Sequence, residues 1–360
     1  MFQRFLRFTM KCQNPAKKFS TATQNNFKVC VIGSAGGIGQ PLCLLLKQEL
    51  MITYLNLYDI AKVNPGVNVD LSHVNTTPIV QAFTGTDQLP YALCGCNVVV
   101  ITAGMPRKPG MSREDLFGAN AAVVYGFACA VACFSPCALV AIVTNPLNSM
   151  VPVFSEVLMR CGCYDPCKIF GVTTLDLVRA STFAGQISCA DPSYLDIPVI
   201  GGHAGKTIVP LLSQSRPPLP SMTQEDIQKL TVRIQEAGTE VVKAKAGEGS
   251  ATLSMAFAAA RFVRSLLKGL SGEPVIECAY VRSCATDAAY FANPLVLGRY
   301  GIERNLGYGK LNAYEGKQLQ EAVPILVKNI EDGVKYVIQK ADIKPPTKCE
   351  PPKPPSKTKG

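Results

Sequence analysis

The seven residues Gly33-Ser-Ala-Gly36-Gly-Ile38-Gly39 constrain this chain more than any other stretch. They follow an apolar run, Phe27 to Ile32, and open an apolar helical pattern from Leu42 to Leu46. Strand, glycine turn and helix in that order form the context in which a glycine string becomes a dinucleotide site. A pyrophosphate can approach backbone only where no side chain intervenes, and the N-terminus of the following helix offers it free N–H groups. A second strand-like run, Thr53 to Asp59, ends in an acid twenty residues after Gly39. A carboxylate there can accept hydrogen bonds from adenosine ribose hydroxyls and repels a 2′-phosphate, so the expected cofactor is NAD rather than NADP.

The pattern around this motif sets the fold class. Apolar runs predict strands at 27–32, 53–59, 79–83, 97–102 and 138–143, alternating with helices at 37–49, 66–73, 113–133 and 148–161. Such alternation predicts an α/β fold, a Rossmann-type doubly wound parallel sheet that binds ligands at the carboxyl ends of its strands. Gly33, Asp59, Ala103-Gly104 and Asn145 all fall there. The second half reads as an α+β catalytic domain sharing a cleft with the first. Helices are expected at 174–187, 223–246, 252–268 and 312–340, and strands near 194–200, 206–212, 275–282 and 293–299. The expected division is 1–22 as a targeting segment, 27–170 for NAD binding, 171–341 for the substrate and 342–360 as a disordered Pro/Lys-rich tail.

Charge and cysteine content exclude several function classes. The net charge of +10 is concentrated at the ends: residues 1–27 carry +5 with no acid, and 342–360 carry +3, leaving the body near neutral. No basic stripe with interleaved aromatics is present, so no nucleic-acid partner is expected. Met1-Phe-Gln-Arg-Phe-Leu-Arg-Phe has the basic, amphipathic character of a mitochondrial transit peptide. The longest apolar stretch, 119–132, falls short of the roughly 18 to 20 residues that span a bilayer, carries Asn120, and is read as a buried helix. Fifteen cysteines, an odd number without Cys-x-x-Cys, do not form a secreted disulfide framework. Cys94-Gly-Cys96 and Cys161-Gly-Cys163 read as turns, Cys129, Cys133 and Cys137 as small apolar residues on a helix, and no metal site is expected.

Three clusters carry chemistry. His203, in Ile200-Gly-Gly-His-Ala-Gly-Lys206, lies between glycines that leave room around the ring; an imidazole titrates near neutral pH and suits a general base. Asp176 and Arg179, three apart near a helix start, can face one cleft. The carboxylate would fix the imidazole tautomer, and the guanidinium would hold a substrate carboxylate through paired N–H bonds. The loop Ala103 to Arg113, broken by proline and glycine, fits a mobile lid bringing Arg107 and Arg113 onto a substrate. Three arginines, one histidine and one aspartate point to a small dicarboxylate.

These motifs, in this order, closely resemble the lactate/malate dehydrogenase family, and within it the malate dehydrogenases of the mitochondrial and enteric-bacterial type. The resemblance runs from about Asn26 to about Ala341. Besides the stretches above, it includes Asp70-Leu-Ser-His73, Thr144-Asn-Pro-x-Asn148, Phe170-Gly-Val-Thr-Thr-Leu-Asp176 and Arg233-Ile-Gln-Glu-Ala-Gly-Thr-Glu. It implies that Arg107 grips the distal carboxylate, Arg113 polarises the carbonyl and Arg179 binds the proximal carboxylate. His203 and Asp176 would move the proton. Asn145, helped by a cis Asn145–Pro146 bond, would touch substrate and nicotinamide ribose, while Asn120 and Met255 would line the cofactor site. It further implies NAD-dependent oxidation of malate to oxaloacetate, a homodimer, the mitochondrial matrix, the citric acid cycle and the malate–aspartate shuttle. Gly118, Ala122 and Glu248 depart from the family pattern, and Glu248 adds an anion beside the expected cleft. With the cysteine excess and the tail, they keep two alternatives open: a weakly active or structural paralogue, and a different 2-hydroxyacid dehydrogenase.

Overall fold

The computed structural model describes residues 26–105 and 113–340, residues 113–115 through their backbone alone. The expected transit peptide, Arg107 and the tail from 342 onward lie outside the described residues. The first half runs β1 (Phe27–Ile32), α1 (Gly39–Lys47), β2 (Ile52–Asp59), α2 (Asn64–Ser72), β3 (Ile79–Thr84), α3 (Leu89–Leu93), β4 (Val98–Ile101), α4 (Arg113–Phe134), β5 (Leu139–Ile142), α5 (Leu147–Arg160) and β6 (Ile169–Gly171). These six strands pair in parallel in the order β3-β2-β1-β4-β5-β6. The central strands read as unbroken apolar runs because helices cover both faces. Val29 to Ile32, Val98 to Ile101 and Leu139 to Ile142 are all buried.

The second half runs α6 (Thr174–Ser188), β7 (Val199–Gly201), β8 (Ile208–Pro210), α7 (Gln224–Ala244), α8 (Leu253–Ser271), β9 (Val275–Arg282), β10 (Tyr290–Gly298), β11 (Gly301–Asn305) and α9 (Ala313–Gln339). Its strands are antiparallel and continue the same sheet, with β9 joining β6 at Gly171 and Tyr280. A Cβ at Gly171 would come within 2.8 Å of Val151, so a glycine lets α5 and β9 close on this joint.

Several local expectations change. The strand expected over 194–200 shrinks to Val199–Gly201 and the one over 206–212 to Ile208–Pro210, because the residues between form a tight hairpin. β6 and β11 were not foreseen; three and five residues carry too little periodicity. The stretch 119–132 is helical, within the longer α4, but buries one stripe only: Ala121, Val124, Ala128 and Val131 face the core, and the rest is largely half-buried. Among the described residues, Leu116–Phe134 is the one segment long and apolar enough to cross a membrane by length and composition, and its 3,4,3 inner spacing against the sheet is that of a helix packed on a core. Cys137 lies beyond the end of α4 and is exposed, so the helical cysteine series stops at Cys133.

Candidate active site

The glycine turn follows β1. Gly33 has φ +92°, and a Cβ there would sit 2.6 Å from the Ala103 backbone nitrogen. A Cβ on Gly39 would overlap the Gly33 carbonyl, so this glycine lets α1 start against the turn. Gly36 and Gly37 differ: they are exposed and form the bare rim of the turn. The N–H groups of Gly37 and Ile38 have no hydrogen-bond partner among the described residues and lie at the N-terminus of α1. Buried Asn64 supports the turn from behind. Its Oδ1 accepts from Ser34 Oγ at 2.7 Å, and its Nδ2 donates to the carbonyls of Leu57 and Phe83. Asp59, at the end of β2, accepts from the Ala35 N–H (2.9 Å) and the Ala61 N–H (3.0 Å), which aims its carboxylate beside the turn. Bare backbone, free N–H donors and an oriented carboxylate fit a dinucleotide carrying two ribose hydroxyls.

Neighbouring strand ends extend the site. β1 and β4 are adjacent although β2 follows β1 in sequence, which makes their carboxyl ends the crevice of the sheet. Thr144 Oγ1 donates to the Ala103 carbonyl at 2.6 Å and ties the loops after β4 and β5 together. The Asn145–Pro146 peptide is cis and Asn145 is exposed. Asn120 turns its amide onto the backbone of this crevice. Oδ1 accepts from the Met105 N–H (2.6 Å), and Nδ2 donates to the carbonyls of Asn145 (2.7 Å) and Met105 (3.2 Å). It holds cleft backbone in place. Met255 is likewise buried, in the first turn of α8 among the apolar side chains of that face.

His203 sits at the tip of the β7–β8 hairpin. Gly201, at φ +96°, turns the chain, and the Gly202 N–H donates to the Thr207 carbonyl at 2.7 Å. The glycines before His203 admit neighbours rather than clearing space around the ring. A Cβ at Gly202 would approach Asn148 Oδ1 and Leu326 to 2.6 Å. The imidazole Nδ1–H donates to Asp176 Oδ2 at 2.6 Å, and Asp176 is fully buried in the first turn of α6. This leaves Nε2 as the atom that accepts or gives a proton. Asp176 Oδ1 has no partner, nor have the buried hydroxyls of Thr173 and Thr174, so the imidazole is the one side-chain donor on this carboxylate among the described residues. Arg179 follows one turn later, half-buried and without a hydrogen-bonded or ionic partner among the described residues. Burial lowers its guanidinium, and the negative charges of Asp176 and Glu240 pull it back up. A half-buried guanidinium with protein anions nearby but none in direct contact keeps its donors open for an anionic ligand. Arg113 begins α4, and its side chain lies outside the described residues.

Residues 27–171 match the lactate/malate dehydrogenase NAD binding domain, and residues 173–337 match the alpha/beta C-terminal domain of the same family. The chain belongs to the lactate/malate dehydrogenase family. It is 54% identical to the mitochondrial malate dehydrogenase of Felis catus over 322 residues, 89% of this chain and 95% of that protein. Against the Homo sapiens protein the identity is 53% over the same share. The crystal structure of Cryptosporidium parvum malate dehydrogenase superposes with a TM-score of 0.75 at 27% identity, covering 85% of this chain and 99% of that one. The lactate dehydrogenase of the same organism, complexed with lactic acid and NAD, gives 0.73 at 25% identity, covering 85% and 98%.

In this dehydrogenase, Asn64, Asn148 and Thr207 hold the site from behind; sequence reading assigned them no role, although Asn148 closes the Thr144-Asn-Pro-x-Asn148 motif. Asn64 and Thr207 are fully buried and Asn148 almost so, a state that local sequence does not reveal. Glu248, between Gly247 and Gly249, is exposed and without an ion-pair partner among the described residues. The Cys-Gly-Cys pairs are turns, with Gly95 at φ +70° and Gly162 at φ +71°. Burial pushes the Cys278 thiol up to about 12 and raises Cys43, so these thiols stay neutral and pack as apolar groups.

Proposed function

We infer that this protein is a mitochondrial NAD-dependent malate dehydrogenase, converting (S)-malate and NAD to oxaloacetate, NADH and a proton. The observation that carries the reading is the buried Asp176 carboxylate on His203, with unpaired Arg179 one helical turn away on α6. Gly33, Gly36, Gly37, Ile38, Gly39 and Asp59 would hold the cofactor, with Asn145, Asn120 and Met255 around its nicotinamide end. When bound, NAD supplies the hydride acceptor.

Neutral His203 takes the C2 hydroxyl proton through Nε2 as hydride leaves C2. The imidazolium then forms against a carboxylate already in place, so its charge is stabilised without reorganisation. In oxaloacetate reduction the same Nε2–H gives its proton to the carbonyl oxygen. Arg179 binds the carboxylate beside the reacting carbon, Arg107 the distal one, and Arg113 polarises the carbonyl.

The same reading divides the chain at 170/171 into cofactor and substrate halves and places the mature enzyme in the mitochondrial matrix as a homodimer. Exposed Val69 on α2, Val232 on α7 and Phe257 on α8 support the dimer. α2, α1, α8, α6 and α7 pack as successive neighbours, giving one continuous side on which a second copy can cover these side chains. Light scattering of protein lacking its first 22 residues tests it; a monomer at micromolar concentration rejects it. The same protein, assayed by loss of NADH absorbance, should reduce oxaloacetate far faster than pyruvate. Equal rates would favour another 2-hydroxyacid dehydrogenase, and NADH binding without turnover a structural paralogue.

A further inference from the structure

Asn148 lies in the first turn of α5, three residues after Asn145, and is 2% exposed. Every polar atom of its side chain is used. Oδ1 accepts from the His203 backbone N–H at 2.9 Å. Nδ2 donates to Thr207 Oγ1 and to Asn329 Oδ1 on α9, both at 3.2 Å. Thr207 Oγ1 in turn accepts from the Ala204 N–H (3.1 Å) and donates to the Ala204 carbonyl (2.8 Å), closing the hairpin around His203. The Asn148 carbonyl accepts from the buried Tyr280 hydroxyl at 3.2 Å, fixing this turn of α5 against β9.

Asp176 and Asn148 therefore hold His203 at different points. Asp176, on α6, holds Nδ1 and sets the plane of the ring. Asn148, on α5, holds the backbone and sets where the ring begins. Asn145 lies two residues before α5 and is exposed, so one short segment links its amide to the support of His203.

We propose that Asn148 is a positioning residue for proton transfer, setting the reach of His203 Nε2 relative to Asn145 and the substrate; this rests on the reading of His203 as the base. Gly202 is part of the same device, since any side chain there would displace the Asn148 amide.

Asn148→Ala and Asn148→Asp test it in the full-length holoenzyme, with His203→Ala alongside. Asn148→Ala removes all three side-chain hydrogen bonds and should lower kcat for oxaloacetate reduction about 10- to 100-fold, the range of losses from removing partners that orient a functional histidine. The KM for oxaloacetate and the Kd for NADH should stay within about threefold, because Asn148 is buried and its polar side-chain atoms are all taken by protein partners. Asn148→Asp keeps an acceptor for the His203 N–H at the same size, loses the two donors and adds a carboxylate near the imidazole. Charged groups on the elements around that ring include Asp176 and Arg179 on α6, Lys206 on its own loop, Glu321 and Lys328 on α9, and Glu156 and Arg160 further along α5. The added negative charge should move the alkaline limb of oxaloacetate reduction upward by about one pH unit, a shift that Asn148→Ala does not produce. An Asn148→Ala enzyme with kcat within threefold of the parent overturns the proposal. If that variant does not fold, an Asn148→Asp enzyme with the parental pH profile overturns it. Full activity in His203→Ala would instead reject the base assignment itself.

Discussion

Replacing Asp176 by asparagine isolates the charge that the fold buries behind His203. The side chain is the same size, the site is fully buried, and Oδ1 has no present partner, so the amide can enter without a steric conflict. With its oxygen on the ring, the Nδ1–H bond survives but the imidazolium formed during malate oxidation loses its counter-ion. A charge-assisted hydrogen bond contributes about 1.5–3 kcal/mol, and unit charges roughly 4 Å apart at an effective dielectric near 20 interact by about 4 kcal/mol. A loss of about 2–4 kcal/mol from the charged state corresponds to roughly 30- to 1,000-fold in kcat. With the amide reversed, its NH₂ faces Nδ1, the proton moves to Nε2, and the ring can no longer act as a base, which takes the loss towards the upper end. The assay is steady-state kinetics in both directions across pH, with NADH binding and thermal unfolding measured on the same protein. Binding should be unchanged and Tm equal to or above the parent, since a buried carboxylate with a single partner is costly to desolvate. A variant within threefold of parental kcat in both directions would refute the claim that the Asp176 charge acts in catalysis.

Arg179→Gln should lower kcat/KM for oxaloacetate by about 10² to 10⁴, from two charged hydrogen bonds at about 1.5–3 kcal/mol each, with NADH affinity retained in a direct titration. Asp59→Ser removes the carboxylate beside the glycine turn and should narrow the preference for NADH over NADPH by at least tenfold in kcat/KM; an unchanged ratio would show that another group reads the ribose. Gly202→Ala forces a Cβ to 2.6 Å from Asn148 Oδ1 and from Leu326, and should cost about 1–3 kcal/mol of stability, visible as a Tm lower by several degrees, together with a fall in kcat.

How much of this was legible follows from where the information sits. The parallel half was readable because strands covered on both faces must be apolar throughout, as Val98 to Ile101 and Leu139 to Ile142 are. The glycine turn and Asp59 were readable because strand, turn, helix and strand are consecutive, so chain order alone brings them together. β6 and β11 were not, since their pairing partners lie far away and their own residues are few. For Asn120, sequence locates a residue near the crevice, while only packing shows its amide turned onto the Met105 and Asn145 backbone. The role of Gly202 was misread for the same reason, because the atoms it admits come from α5 and α9.

By itself the sequence determined the fold class, the dinucleotide motif and the residue types for hydride and proton chemistry, because each depends on local periodicity or on a short run of neighbours. Tertiary structure decided which of those residues meet. Asp176 and His203 lie 27 residues apart, and His203 and Asn148 lie 55 apart. They converge because β6 ends beside β5 and the β7–β8 hairpin folds back between α5 and α6. Strand order and close packing choose such contacts, and no local pattern records them.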